Sequence, residues 1–452
     1  MSVPRVLLVP THHTGLANAV AAAVAEIVTA QGRRVRYHHL GPLSPVSSWD
    51  RWEGAAFLDP ALQSEEALLA LYDVATRGAH LSLLSASGGL LDRRDGADWL
   101  PTDVARLLDC PVVVVMDCRG WGTGIRALVT GLKSHLAGLN LAGAVLSGVA
   151  DRDHCELLRR VLSSENVPVV GCLFEGDGPG WDATPPGAWG LPLETTLLEA
   201  VSRQVDVGGL ETLAGQRGFL SSQNWLIDRG IGGPLVVVAG GRGFTPWSRD
   251  SIEVLRSAGA QVHRLDLVED RALPAETAGL VLAGTVWPED LPDIAMNQSL
   301  LRDMRMRISE GLPTIALGGG ALILLSKIQD SLGRTVELAD VLPAGGEILW
   351  DLEEPAYVEV TAERDSLLLV QGETVTGWVV TDVEMVDLDP GRDPPLTVRG
   401  AGLPGVQAEG ATTSSLLCSR VFLHLAATPD MAPRFVRQCA AYAAKPSGSS
   451  RG

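Results

Sequence analysis

Short runs of β-branched and aliphatic residues alternate with longer amphipathic segments in the first part of the chain. The apolar runs cover residues 6–9, 81–84, 112–116, 143–149 and 167–172, and an alanine-rich stretch over residues 16–30 predicts the first long helix. Apolar strands separated by helices are typical of a parallel sheet that is covered on both faces. The pattern therefore predicts a doubly wound α/β domain over residues 1–200.

A second series of strands and helices begins at residue 234. Apolar runs at residues 234–238, 279–283 and 313–317 predict further parallel strands, whereas valine and threonine alternate over residues 356–387 and predict antiparallel strands. We predict a second α/β domain over residues 234–443. Residues 201–233 are expected to form a linker with one helix, and residues 444–452 a disordered tail.

Composition narrows the classes of function. The 452 residues are 46% hydrophobic and 20% charged, and the formal net charge is −18, which disfavours nucleic acid and anionic membranes as partners. No apolar run approaches the roughly 18 residues of a membrane span. The six cysteines are scattered without CxxC spacing. We therefore expect no nucleic-acid partner, no membrane span, no disulfide framework or zinc site, and a cytoplasmic location.

The turn that follows the predicted strand at residues 313–317 carries a conspicuous substitution. Residues 315–322 read I-A-L-G-G-G-A-L. This segment resembles the strand-to-helix turn P-x-x-A-E-C-G-G-L-M of class I (triad) glutamine amidotransferases, in which the cysteine is the nucleophile. Gly318 stands in the place of that cysteine, so the architecture is expected without the thiol chemistry.

Further segments resemble one family in order along the chain. Residues 83–92 are similar to its V-V-V-E-G-x-M-G-L-x-D-G, residues 110–117 to P-V-V-L-V-V-D, residues 283–289 to L-P-G-G-Y-P-E, and residues 422–429 to L-H-F-A-S-N-P. The family is that of cobyrinic acid a,c-diamide synthases. The resemblance implies an N-terminal P-loop NTPase-like domain with a parallel sheet and a C-terminal class I glutamine amidotransferase-like, flavodoxin-like domain.

Family members phosphorylate a tetrapyrrole carboxylate with ATP and attack it with ammonia from glutamine, so a phosphate-binding turn is expected after the first strand. Thr14 and Gly15 keep part of that pattern. Asn18 occupies the position of the phosphate-binding lysine, and Ala19 that of the Ser/Thr magnesium ligand. Loss of the lysine removes the main positive charge that would neutralise the phosphates.

The other nucleotide contacts implied by the resemblance also depart from the family pattern. Ser85 occupies the position of the magnesium-linked glutamate, and Ser147 that of the asparagine that reads adenine. Asp92 remains, either as a functional carboxylate or as a cap of the next helix. We interpret seven residues together as a degenerate nucleotide site, and no cofactor is expected: Thr14, Gly15, Asn18, Ala19, Ser85, Asp92 and Ser147.

Two histidine pairs, at residues 12–13 and 38–39, suggest metal ligands at first sight. Neighbouring side chains on a strand point to opposite faces, so each pair offers one ligand at most, and no metal site is predicted. These histidines are expected at the surface or lining a substrate. His39 takes the lysine position of the family motif F-K-V-G-P and is a candidate substrate contact.

The glutaminase half lacks a complete triad. His424 fits the position of the base, as a relic of the triad or as a core histidine, but Gly318 supplies no nucleophile. The family segment G-H-E-F-H-Y-S, which contacts substrate, is replaced here by residues 377–382, which read G-W-V-V-T-D. Trp378 is either a stacking platform for a flat ligand or a packing residue.

Two hypotheses follow from the sequence. In the first, the chain is a non-catalytic scaffold that binds a partner protein or a tetrapyrrole-like ligand. In the alternative, it is an enzyme that uses Mg-ATP and free ammonia to amidate tetrapyrrole carboxylates. Because family members self-associate, we expect a homodimer or a heterodimer with an active paralogue.

Overall fold

The structure is a computed structural model. It describes residues 3–12, 16–41, 57–86, 88–93, 98–176, 195–218, 220, 232–246, 250–287, 290–329, 333–348, 356–379, 383–386, 394–400 and 403–445. The chain divides into two compact units. One comprises residues 1–60 and 65–223, and the other comprises residues 61–64 and 224–452.

The first unit is a layered α/β structure. Its strands are β1 (Arg5–Pro10), β2 (Val35–Leu40), β3 (Phe57–Leu58), β4 (Leu81–Ala86), β5 (Val112–Asp117), β6 (Leu141–Val149) and β7 (Val169–Phe174). Its helices are α1 (Leu16–Ala30), α2 (Glu65–Thr76), α3 (Pro101–Leu107), α4 (Ile125–His135), α5 (Arg152–Ser164), α6 (Thr195–Gln204) and α7 (Val207–Ala214).

These strands form one parallel sheet in the order β3-β2-β4-β1-β5-β6-β7. Every residue of β1 and β4 is buried, as expected for apolar strands covered on both faces. The chain runs from β1 towards β2 on one side, whereas β5 pairs with β1 on the other side. The carboxyl ends of β4, β1 and β5 thus lie where the strand order reverses, which is the usual position of a ligand crevice in such sheets.

The second unit contains more strands and shorter helices. Its strands are β8 (Leu235–Gly240), β9 (Phe244–Pro246), β10 (Gln261–Asp266), β11 (Thr277–Val286), β12 (Thr314–Gly318), β13 (Leu325–Gln329), β14 (Thr335–Glu337), β15 (Leu342–Ile348), β16 (Ala356–Ala362), β17 (Thr374–Val379), β18 (Val383–Val386), β19 (Leu396–Gly400), β20 (Gln407–Glu409), β21 (Ala411–Thr412), β22 (Leu416–Ser419) and β23 (Val421–Phe422). Its helices are α8 (Ser251–Ser257), α9 (Leu291–Met296), α10 (Gln298–Ser309), α11 (Gly319–Ile323) and α12 (Met431–Ala443).

The main sheet of this unit has the order β10-β8-β11-β12-β22-β21. The first five of these strands are parallel and follow the 2-1-3-4-5 order of flavodoxin-like folds, while β21 pairs antiparallel at the edge. A separate antiparallel sheet, β20-β19-β16-β17-β23, contains two strands of the predicted segment 356–387, β16 and β17, whereas β18 pairs antiparallel with β15 in the sheet β14-β13-β15-β18. The predicted fold class, two doubly wound α/β domains, is confirmed.

The segment expected to be a linker at residues 201–233 begins inside α6 and contains all of α7. Helix α6 packs on α1 and β7, and α7 packs on β1 and β7. Both helices therefore belong to the first unit, which extends to residue 223. Residues 221–231 lie outside the described part of the chain, as do residues 446–452 of the expected tail.

The scattered cysteine spacing argued against a disulfide framework, yet one pair of cysteines is bonded. Cys155 on α5 is bonded to Cys172 on β7, with their Cα atoms 6.5 Å apart. Sequence spacing does not reveal this pair because α5 leads directly into β7 and packs back on it. Cys110, Cys118, Cys418 and Cys439 are free and buried.

None of the described helices combines the length and the apolar character needed to cross a bilayer.

Candidate functional site

The turn between β1 and α1 is the expected phosphate-binding segment. Thr14 and Gly15 lie outside the described residues. Asn18 and Ala19 lie near the start of α1, where Ala19 is buried and Asn18 is half-buried. The side chain of Asn18 therefore remains close to the carboxyl ends of the central strands, where a phosphate-binding lysine would act.

A chain of three hydrogen-bonding side chains joins two of the substituted positions. The hydroxyl of Ser85 donates to Oδ1 of Asn18 over 2.7 Å. Tyr37 and Ser85 bring their hydroxyl oxygens to 2.6 Å. Because a serine hydroxyl has one hydrogen, which Asn18 accepts, the Tyr37 hydroxyl is the donor to Ser85. The resulting chain runs from Tyr37 through Ser85 to Asn18.

All three groups in this chain are neutral. Burial raises the pKa of the Tyr37 phenol well above its ordinary value, although the hydrogen bond with Ser85 opposes part of the shift. Where the family pattern has a lysine and a glutamate, this chain has Asn18 and Ser85 bonded to each other. The two side chains bond to each other directly, without an ion between them.

Asp92 lies beside the turn that follows β4. A Cβ atom on Gly89 would lie 2.1 Å from Oδ2 of Asp92 and 2.8 Å from Cα of His12, so both residues approach this glycine closely. The side chain of Asp92 is exposed and, with Leu40, Ala86, Gly88, Trp99 and Pro101, lines a small cavity. The next helix in the described part of the chain, α3, has Leu100 at its N-cap, so Asp92 does not cap that helix.

Ser147 lies near the end of β6, beside the end of β5. It pairs with Asp117 in the strand register, and its Oγ is buried without a hydrogen-bond partner among the described residues. Asp117 binds Arg119 through both carboxylate oxygens, at 3.1 and 3.0 Å from Nε. Burial by itself would raise the pKa of the Asp117 carboxyl, but the hydrogen bonds and charge of Arg119 outweigh burial and lower this pKa.

His38 and His39 were expected at the surface or lining a substrate, and the surface alternative is wrong. Strand β2 lies inside the sheet between β3 and β4, and the two residues, on opposite faces of the strand, are 0% and 3% exposed. His38 packs on Tyr72 with ring centroids 5.2 Å apart. His39 is paired with Ser85 in the β2–β4 register. Its backbone thus neighbours the substituted site.

In the second unit, Gly318 is the last residue of β12 and precedes α11. Its backbone has φ 61° and ψ −129°, a conformation that glycine adopts without strain and other residues rarely adopt. The next two glycines are fixed by packing. A Cβ atom on Gly319 would lie 2.6 Å from the Val286 nitrogen, and one on Gly320 would lie 1.8 Å from the Leu282 oxygen. The turn thus sits directly on β11.

His424 follows β23 and is completely buried. Its Nε2 lies 3.1 Å from Oδ2 of Asp250, and its Nδ1 accepts a hydrogen bond of 3.0 Å from the backbone N–H of Ala426. The amide nitrogen of Gln63 lies 3.1 Å from Nε2 of His424 and 3.4 Å from Oδ2 of Asp250. Gln63 belongs to the 61–64 segment of the second unit.

The turn that leads into His424 is held by a buried carboxylate. Glu409 accepts hydrogen bonds from the Ser419 hydroxyl and the Arg420 backbone N–H, and forms an ion pair of 3.0 Å with the Arg420 guanidinium. The Glu409 side chain is 2% exposed. Because β22 ends at Ser419 and pairs with β12, this turn lies at the same sheet edge as Gly318.

Trp378 on β17 is 0% exposed. Its ring packs on Phe422 with centroids 4.7 Å apart, and Phe422 in turn meets His424 edge to face at 6.2 Å. The buried ring matches the packing alternative rather than the stacking platform. It forms part of the wall that supports His424.

Several residues at these sites were not singled out from the sequence: Tyr37, Gln63, Arg119 and Asp250. The D-x-R spacing after a buried strand was a usable signal for Arg119. Gln63 gave none, because it lies 361 residues from His424. Among the described residues, no group of three or more His, Cys, Asp and Glu side chains is arranged to hold a metal ion.

Comparison with known proteins gives similarity along most of the chain. It is 25% identical over 421 residues to the cobyrinate a,c-diamide synthase of Picrophilus torridus, covering 89% of each chain. It is 27% identical over 400 residues to the hydrogenobyrinate a,c-diamide synthase of Mycobacterium tuberculosis (strain ATCC 25618 / H37Rv), covering 85% of this chain and 86% of the relative. The hydrogenobyrinate a,c-diamide synthase of Streptomyces coelicolor is 26% identical over 485 residues, covering 97% and 98%. No protein-family model matches the chain.

Proposed function

Because the chain belongs to the family of cobyrinate and hydrogenobyrinate a,c-diamide synthases, we propose that it keeps the family fold without the amidation and glutaminase reactions. In this proposal it is a non-catalytic protein that binds a partner protein or a tetrapyrrole-like ligand. The names of the relatives point to cobyrinate or hydrogenobyrinate as the first ligands to test.

The hydrogen bond between Ser85 and Asn18 is the observation that carries this proposal. A P-loop enzyme needs a lysine to neutralise the β- and γ-phosphates and a carboxylate to hold magnesium. Here the two positions carry uncharged groups that bind each other. Binding of Mg-ATP would have to break this bond and would gain no charge compensation from either side chain.

Gly318 supports the same proposal for the glutaminase half. Release of ammonia through a covalent intermediate requires a nucleophile at the turn, and glycine has no side chain. Its φ of 61° is relaxed for glycine, so the turn is stable without the thiol. Both reactions therefore lack a required group.

Calorimetric titration with Mg-ATP tests the loss of the nucleotide site. We expect no heat of binding up to millimolar nucleotide, whereas the relative from Mycobacterium tuberculosis serves as the positive control. Micromolar binding by this chain would contradict the proposal. Replacement of Asn18 by lysine together with Ser85→Glu restores the two charges and is expected to increase nucleotide binding above that of the native chain.

An absorbance titration with cobyrinate tests the ligand. We expect saturable binding with no change in the mass of the recovered corrinoid. If neither cobyrinate nor hydrogenobyrinate binds, the tetrapyrrole version of the proposal fails and the partner-protein version is left.

Size-exclusion chromatography with light scattering tests the proposed dimer, for which a monomer at all concentrations is the contrary result.

The second candidate function is ATP-dependent amidation with free ammonia. It is favoured by the names of the relatives and by two carboxylates, Asp92 and Asp117, that remain at the carboxyl edge of the first sheet. Incubation with cobyrinate, Mg-ATP and ammonium chloride distinguishes the two functions. Release of ADP with formation of a corrinoid amide supports the enzyme, and neither product is expected under the first proposal.

A further inference from the structure

A carboxamide already lies beside the histidine of the glutaminase-like site. Gln63 is 4% exposed, and its amide nitrogen lies within 3.4 Å of both Nε2 of His424 and Oδ2 of Asp250. A carboxamide is also the group that glutaminases cleave. The segment that carries Gln63, residues 61–64, is part of the second unit although it comes from the first part of the sequence.

The hydrogen bonds determine where the proton of His424 lies. Its Nδ1 accepts from the backbone N–H of Ala426, so Nδ1 carries the lone pair and Nε2 carries the hydrogen of a neutral imidazole. Nε2–H then donates to Oδ2 of Asp250. The Gln63 amide donates to the same oxygen, and this shared acceptor brings the two nitrogens to 3.1 Å.

His424 in this arrangement cannot serve as a general base. A neutral imidazole has one lone pair, and Ala426 already uses it. An incoming amide would have to donate a hydrogen bond to Asp250. This carboxylate already accepts hydrogen bonds from His424 and Gln63.

We infer that Gln63 is an internal carboxamide ligand that occupies the glutaminase-like site of the second unit and excludes carboxamides from outside. The side chain donates to the buried carboxylate of Asp250, on the same oxygen that accepts from Nε2 of His424. Opening of the site requires withdrawal of Gln63. These hydrogen bonds do not involve the nucleotide-site residues of the first unit. The inference therefore does not depend on whether the chain binds Mg-ATP.

Removal of the side chain and rescue with a small amide tests the inference. Gln63→Ala is expected to lower the Tm by about 4–8 °C, since a buried carboxylate loses one donor. Acetamide at millimolar concentration should restore at least half of this loss by filling the vacated place. Acetate has the same shape but carries a negative charge towards Asp250, and it should restore nothing.

Gln298→Ala is the matched control, because Gln298 is exposed and its side-chain amide donates to the Ala295 oxygen over 2.8 Å. Acetamide should not change the Tm of this variant or of the native protein. The inference is overturned if acetamide fails to stabilise Gln63→Ala, or if acetate or the control variant gives the same stabilisation.

A second variant covers the case in which Gln63→Ala does not fold. Gln63→Met keeps the volume of the side chain but cannot donate to Asp250. Nitrogen NMR of the imidazoles should show His424 with its hydrogen on Nε2 in the native protein. Solvent exchange of that hydrogen should accelerate at least tenfold in the variant. An Nδ1–H tautomer in the native protein, or an unchanged exchange rate, contradicts the inference.

Discussion

Ser85 and Asn18 share a hydrogen bond of 2.7 Å at the carboxyl edge of the first sheet, at the two positions for which the resemblance implied a glutamate and a lysine. The two substitutions are therefore physically linked. With only one of the two substitutions, a lysine or a glutamate would remain in a partly buried place without its oppositely charged partner. Such an unpaired charge costs free energy of folding. Together they give a neutral pair, and Tyr37 completes it by donating to Ser85.

Tyr37 makes stability sensitive to alkaline pH. Burial raises the pKa of this phenol in the folded state, whereas in the unfolded chain it titrates near pH 10. Stability is therefore complete below pH 10 and falls as the pH rises above it, because the unfolded state releases its proton first. Between pH 10 and 11 the loss from one such group is about 1 kcal/mol.

Urea unfolding at pH 9, 10 and 11 measures this effect. Tyr37→Phe should be less sensitive to pH over that interval than the native protein. Equal slopes for Tyr37→Phe and the native protein would show that the phenol does not titrate differently on folding.

The Cys155–Cys172 disulfide should stabilise the first unit. It joins residues that are 17 apart in sequence, and a loop of this size corresponds to about 3 kcal/mol. Reduction is therefore expected to lower the Tm by about 6–12 °C in scanning calorimetry. The double variant Cys155→Ser, Cys172→Ser should show no response to reductant. Thiol titration of the denatured, unreduced protein should find four free cysteines, and a count of six would exclude the disulfide.

Any side chain at Gly318 should destabilise the turn. Its φ of 61° is unfavourable for other residues, so Gly318→Ala should reduce the free energy of unfolding by about 1–3 kcal/mol. Gly131→Ala is the opposite case, because Gly131 is within α4 and a Cβ atom there meets no neighbour. It should stabilise the protein by about 1 kcal/mol. Denaturant unfolding of both variants checks the difference, and a neutral Gly318→Ala would mean that the turn relaxes freely.

Glu409 should be important for the stability of the second unit. Glu409→Gln removes the charge that faces Arg420 and is expected to cost about 2–3 kcal/mol, since the carboxylate is buried and the guanidinium is only partly exposed. Glu359→Gln, which breaks an exposed pair with Arg399, should change stability by less than about 0.5 kcal/mol. Similar values for the two variants would show that burial does not strengthen the Glu409 pair.

Residues close in sequence were largely predictable at the candidate sites. Gly318 was recognised from the glycine-rich turn after an apolar strand, and Asn18 and Ser85 from their positions after β1 and in β4. Their mutual hydrogen bond was not predicted, because it depends on the lateral pairing of β1 with β4 and on the side-chain rotamers. The disulfide was missed for a similar reason: Cys155 and Cys172 are brought together by the packing of α5 on β7.

The sequence by itself determined the fold class. Continuously apolar strands that alternate with amphipathic helices form sheets covered by helices on both faces. It also identified the position where a nucleophile is absent, because that is a matter of residue type alone. Only the tertiary structure decided that His424 donates to Asp250 with Gln63 beside it, and that Trp378 is buried. Contacts over hundreds of residues leave no local pattern, because they are selected by burial and hydrogen bonding in the folded chain.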